Sequence, residues 1–161
     1  MAVTAEWMAQ RLDFVTDFPE LEKAFIANRP ANLRAEVVAI VGELYDVVDR
    51  MRVGVDMLER SVEELPQIGA VFGQRRRELF ARYERYLRQR AEAGIIRVEN
   101  PEATAHLIVD LCSWGARRRL GDPAAWGISD EAARRAVCRF VADALCRAGR
   151  PASPSDREGG T

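Results

Sequence analysis

The stretch FGQRRRELFARYERYLRQRAEAG, running from Phe72 to Gly94, decides the fold. At about 100° per residue, Phe72, Leu79, Tyr83 and Tyr86 fall on one face, flanked by Phe80 and Leu87. Arg77, Glu84, Arg85 and Arg88 lie opposite. This is an amphipathic helix, and Gly94 suits the left-handed position just past its end. Ile95-Ile96-Arg97 makes a short turn, and Asn100-Pro101 opens another helix.

Outward from this stretch the same period recurs, with no β-alternation longer than a few residues. A first segment is expected over Thr4–Phe14. Asp17 reads as the N-cap of a second, with Pro19 in its first turn and an end near Asn28. Asn32 caps a third, Leu33 to about Arg52, striped by Val37, Val41, Leu44 and Val48 with Ile40 and Met51 beside them. Glu36, Glu43, Asp46 and Arg50 form its polar side. A fourth segment covers Gly54–Glu64 and stops before Pro66, after which the Phe72 helix begins. A sixth runs from Pro101 to about Leu120, and the last from Ser129 to Ala148 behind an acidic start that suits the helix dipole. The expectation is an all-α, antiparallel bundle of about six to seven helices. Residues 1–32 would hold short N-terminal helices, 33–148 one helical domain, and 149–161 a Pro-, Ser- and Gly-bearing disordered tail.

Composition bounds the function. The 161 residues are enough for one domain with a real core. Hydrophobic residues make up 48% and charged residues 30%, which fits a globular chain and argues against intrinsic disorder. The formal net charge of −1 gives no support to a chain that coats nucleic acid. Arg75-Arg76-Arg77 and Arg117-Arg118-Arg119 sit on helices and read as solvated faces. No run approaches the roughly 20 apolar residues of a membrane span, and Met1–Trp7 lacks the pattern of an export signal. A cytoplasmic location follows as the expectation, and Cys112, Cys138 and Cys146 read as free thiols with no zinc spacing.

The helix at 101–120 carries apolar groups over most of its circumference. Leu107, Leu111 and Trp114 lie on one side, and Ile108, Cys112 and Gly115 on another. The last helix has a broad apolar face of Val137, Cys138, Val141, Ala144 and Leu145. Two readings fit: a homodimer through a four-helix contact, or a central helix buried within one domain. On the first, Ile108, Cys112, Gly115, Val137, Cys138, Val141 and Leu145 are the interface candidates.

The same helix has a polar edge of His106, Asp110, Ser113 and Arg117. Side chains on one straight helix do not converge as a hydrolase triad with an oxyanion hole, and a metal needs more ligands than this lone histidine and one acid supply. No catalytic residue, metal or cofactor is expected. The edge is either exposed or lends polar groups to an apolar pocket.

The segments Leu33–Val38 through Leu44–Arg50, and Arg77–Phe80 through Tyr86–Gly94, resemble the regulatory domain of tetracycline-repressor-like (TetR family) transcription regulators. So do the turn Ala93-Gly94-Ile95-Ile96-Arg97, the helix start Asn100-Pro101-Glu102, and Asp122-Pro123 followed by Ser129-Asp130-Glu131. The likeness covers about residues 17–148 and rests on the order and spacing of these parts. The family's helix-turn-helix head, with its recognition turn, is not visible in residues 1–32.

The resemblance implies an effector-binding and dimerising domain that is not an enzyme. It implies a homodimer through the last two long helices and a small, mostly apolar effector held between the third, fifth and sixth helices. Tyr45, Met51, Phe72, Tyr83, Tyr86 and Trp114 are the wall candidates, with His106 and Asp110 as polar contacts. Operator DNA would be a partner only through a head supplied elsewhere. The alternative is a headless interaction module that pairs with a full-length regulator.

Overall fold

The computed structural model describes residues 18–27, 29–61 and 66–148. The segment expected at 4–14, the Asp17 cap and the tail at 149–161 lie outside them. The described residues form five α-helices: α1 (Pro19–Ile26), α2 (Leu33–Ser61), α3 (Pro66–Glu92), α4 (Pro101–Ala116) and α5 (Asp130–Ala148). Two short 3-10 turns, Arg118–Gly121 and Pro123–Ala125, join α4 to α5. No strand occurs among the described residues.

The helix starts follow local chemistry. The Asn32 carboxamide oxygen accepts from the Ala35 N–H at 3.1 Å, and the Asn100 side chain accepts from the Ala103 N–H at 2.9 Å. The Ser129 hydroxyl accepts from the Ala132 N–H at 3.2 Å. At the end of α3, Gly94 takes φ 68°. The Gly94 N–H then reaches Ala91 O at 2.9 Å and the Ile95 N–H reaches Arg90 O at 2.9 Å, the paired bonds of a Schellman stop.

Two boundaries differ from the sequence reading. The expected third and fourth segments are one helix, because Gly54 keeps a right-handed backbone and α2 continues through it. A glycine inside a helix costs only about 1 kcal/mol relative to alanine, too little to end it. This merger, with the first segment undescribed, brings the helix number to five. The sixth segment ends at Ala116, four residues early. The reason is Arg119, which is buried and folds back on the helix end. Its Nε donates to Gly115 O at 2.5 Å and its Nη1 to Ile128 O at 2.7 Å, while Nη2 pairs with Asp130. The guanidinium thus ties the end of α4 to the start of α5.

α4 occupies the centre, packed against α2, α3 and α5, while α2 also packs on α5. Val37, Ile40, Val41 and Leu44 of α2 meet Leu79, Tyr83 and Leu87 of α3 and Ala105, Ile108, Val109 and Cys112 of α4 in one core. Phe18, Leu21 and Ala24 belong to that core, so no packing boundary separates 18–27 from the helices after residue 32.

α1 is short and is held at both ends by charge. Phe18 provides no side-chain cap. Instead the Glu43 carboxylate of α2 accepts from the N–H groups of Glu20 at 2.8 Å and Leu21 at 3.2 Å. At the other end the buried Arg90 of α3 donates to Ala24 O at 2.7 Å and Ala27 O at 3.0 Å. An anion at the N-terminus and a cation at the C-terminus both complement the helix dipole.

Candidate functional site

An apolar cavity of about 60 Å³ lies between α2, α3 and α4. Leu44, Val47, Val48, Met51 and Val55 of α2 form one wall, and Phe72 and Leu79 of α3 face them. Val109 of α4 and Phe18, the residue that leads into α1, close it. The spacings are helical: Leu44, Val48, Met51 and Val55 recur every three or four residues, as do Val109, Ser113 and Arg117. The polar lining consists of Ser113 and three arginines, Arg75, Arg76 and Arg117.

Each arginine has an acidic neighbour. Arg75 Nη1 lies 3.0 Å from Glu78 and Arg117 Nη1 lies 2.5 Å from Asp56. Arg76 Nη2 sits 3.5 Å from Asp110, and its guanidinium also lies 5.4 Å from the centre of the Phe80 ring.

Of the residues singled out from the sequence as cavity walls, Met51 and Phe72 line it. Tyr83 stands just behind, its ring edge-on to Phe18 with centroids 6.2 Å apart and its hydroxyl donating to Ile40 O at 3.4 Å. Burial pushes the Tyr83 hydroxyl pKa well up. Tyr86 donates to Glu36 at 2.8 Å, and burial together with the Glu36 charge raises its pKa. Tyr45 packs where α2, α4 and α5 meet, tight against Gly115. A Cβ at position 115 would stand 2.8 Å from Tyr45 Cε2 and 3.1 Å from Val137 Cγ2.

Three of the named residues face outward. His106 is exposed and stacks on Phe80, with ring centres 3.8 Å apart and planes 12° from parallel. Asp110 is exposed, and Trp114 is 42% exposed and does not line the cavity. The polar edge of α4 therefore divides: His106 and Asp110 lie on the surface, and Ser113 and Arg117 reach the cavity.

The seven interface candidates are covered within the protomer. Ile108, Cys112, Gly115, Val137, Cys138, Val141 and Leu145 are all buried against the chain's own helices. A side chain with no exposed area has none to offer a second copy. The outward apolar groups are others: Leu107 and Phe140, both 63% exposed, with Trp114 and the half-buried Leu111. Among the described residues no group of three or more His, Cys, Asp or Glu side chains stands close enough to hold a metal, and no helix is long and apolar enough to cross a membrane.

Sequence reasoning missed most of this lining by favouring aromatic rings. The signal was the short aliphatic run on α2, Val47, Val48 and Val55, facing Val109. Compared with known families, residues 45–148 match the model described as AefR-like transcriptional repressor, C-terminal domain. No curated protein matches the chain, and no solved structure does.

Proposed function

The chain belongs to this family of AefR-like repressor C-terminal domains, a TetR-type regulatory domain, and from that premise we propose that it binds a small effector and pairs with a second copy. The carrying observation is the cavity between α2, α3 and α4, whose wall includes Phe18 at the entry to α1. A drug-sized ligand needs about 300 Å³ or more. The free volume is about 60 Å³, so an effector of that size must part the walls. A ligand that favours the parted form shifts the equilibrium only through that differential affinity, typically worth about 1–3 kcal/mol. Phe18 is the lever in this scheme. Its displacement moves the start of α1, which Glu43 and Arg90 otherwise hold in place. In regulators of this type the DNA-reading head precedes the regulatory domain, so operator binding depends on such a head, in cis or on a partner. The role is regulatory and not catalytic.

Thermal unfolding against a panel of small apolar compounds tests the effector reading. Binders should raise the midpoint of the wild-type chain but not of Val55→Trp, which fills the cavity from a half-buried position. Equal gains in both proteins would contradict it.

A second reading is an interaction module that pairs with a full-length regulator and takes no ligand. The small free volume and the outward Leu107, Trp114 and Phe140 favour it. It requires that no compound shifts the midpoint while the chain still pairs with such a regulator.

A further inference from the structure

We infer that the ligand of the cavity is a single-tailed amphipathic carboxylate, its tail among Leu44, Val48, Met51 and Leu79 and its head against Arg75, Arg76 and Arg117. The inference rests on the effector reading and specifies its chemistry. The cavity lining contains three guanidinium groups and no carboxylate. The acids paired with these arginines, Glu78, Asp110 and Asp56, are outside the lining, and their side chains are 42%, 50% and 44% exposed. The charge presented to the interior is therefore positive.

Depth grades the three arginines. Arg75 and Arg76 are partly exposed and stand at the mouth, while the Arg117 side chain is only 9% exposed and lies further in. A charge withdrawn from water acts more strongly on a ligand than one at the surface. Exposed ion pairs contribute little, and Arg76 and Asp110 stand at a long 3.5 Å, so a ligand carboxylate can replace Asp110 at small cost. Guanidinium matches the planar carboxylate with paired N–H donors, and the Ser113 hydroxyl offers a further donor. The remaining walls are aliphatic or aromatic and suit a hydrocarbon tail.

Isothermal titration of the chain with octanoate, 1-octanol and octylammonium keeps the tail constant and changes only the head. Octanoate should bind about tenfold or more tighter than 1-octanol, from charge-assisted hydrogen bonds, and octylammonium should bind weakest. Arg76→Gln and Arg117→Gln should each lower octanoate affinity several-fold and leave 1-octanol unchanged, with thermal unfolding confirming that each variant is folded. Arg76 is half-exposed, so that variant keeps the test usable if Arg117→Gln does not fold. Equal affinity for octanoate and 1-octanol overturns the anion inference and leaves the effector cavity standing. A preference for octanoate that survives both substitutions, or tighter binding of octylammonium, also overturns it. No binding of any of the three overturns the effector reading and this inference with it.

Discussion

Arg90 and Glu36 form a two-pronged pair inside the protein, with Nε and Nη2 of the arginine each 2.9 Å from a different carboxylate oxygen. Arg90 has no exposed surface, yet its remaining donors are also used, on Ala24 O and Ala27 O. Burial works against its charge, and the hydrogen bond and charge of Glu36 more than offset this, so its pKa stays above the ordinary value. One side chain of α3 thereby joins the end of α1 to the first turns of α2.

Removing one member of this pair leaves a buried charge without compensation. Glu36→Gln is expected to cost about 3–5 kcal/mol in denaturant unfolding. The double substitution Glu36→Leu with Arg90→Met should cost less than the sum of the two single changes. Additive costs would mean that the two residues are not coupled.

Gly94 takes a left-handed backbone that a Cβ disfavours, although nothing lies within 4 Å of the site. Gly94→Ala should cost about 1–2 kcal/mol by chemical denaturation, and Gly94→Asn less. An alanine variant as stable as wild type would contradict the Schellman stop.

Gly115 is a matter of space. A methyl group there meets Tyr45 and Val137 below ordinary contact distance. Gly115→Ala should cost about 1–3 kcal/mol through overpacking, measured as a lowered unfolding midpoint. A neutral or stabilising result would show that α4 can move away from α2 freely.

Thiol reactivity follows from burial. Cys112 and Cys138 are buried and Cys146 is partly exposed. Burial raises the Cys112 thiol far above its usual range, and the Cys138 thiol also upward. The thiolate is the nucleophile, so raised values mean slow reaction near neutral pH. Iodoacetamide on the native chain should label Cys146 first, with Cys112 modified only on unfolding, as read by peptide mass spectrometry. Equal labelling of Cys112 and Cys146 would contradict the packing of α4.

The outward apolar stripe carries the pairing proposal. Leu107→Asp combined with Phe140→Asp should convert a dimer to a monomer in light scattering. Surface changes of this kind normally alter stability by no more than about 0.5 kcal/mol, so the monomer should remain folded. A dimer that survives both changes would place the interface elsewhere.

Short-range signals were legible in the sequence. Asn32, Asn100 and Ser129 start helices and Gly94 stops one because each acts on backbone groups within a few residues. The early end of α4 was not legible, since it depends on Arg119 reaching Ile128 and Asp130. Periodicity showed that α4 is apolar on both sides, but not which side its own chain covers. Ile108 and Cys112 turn out to be interior, and Leu107 and Trp114 are left outward. The cavity escaped for a related reason. Large rings such as Tyr83 and Tyr86 fill space, and short side chains such as Val48 and Val109 leave it.

Methyl NMR of a valine- and leucine-labelled sample, titrated with octanoate, tests the central claim most directly. Shifts should concentrate on Val48, Val55, Leu79 and Val109, the methyl-bearing walls of the cavity. Shifts confined to Leu107 and Leu120 on the surface, or the same small drift at every methyl, would contradict the claim that this cavity receives the effector.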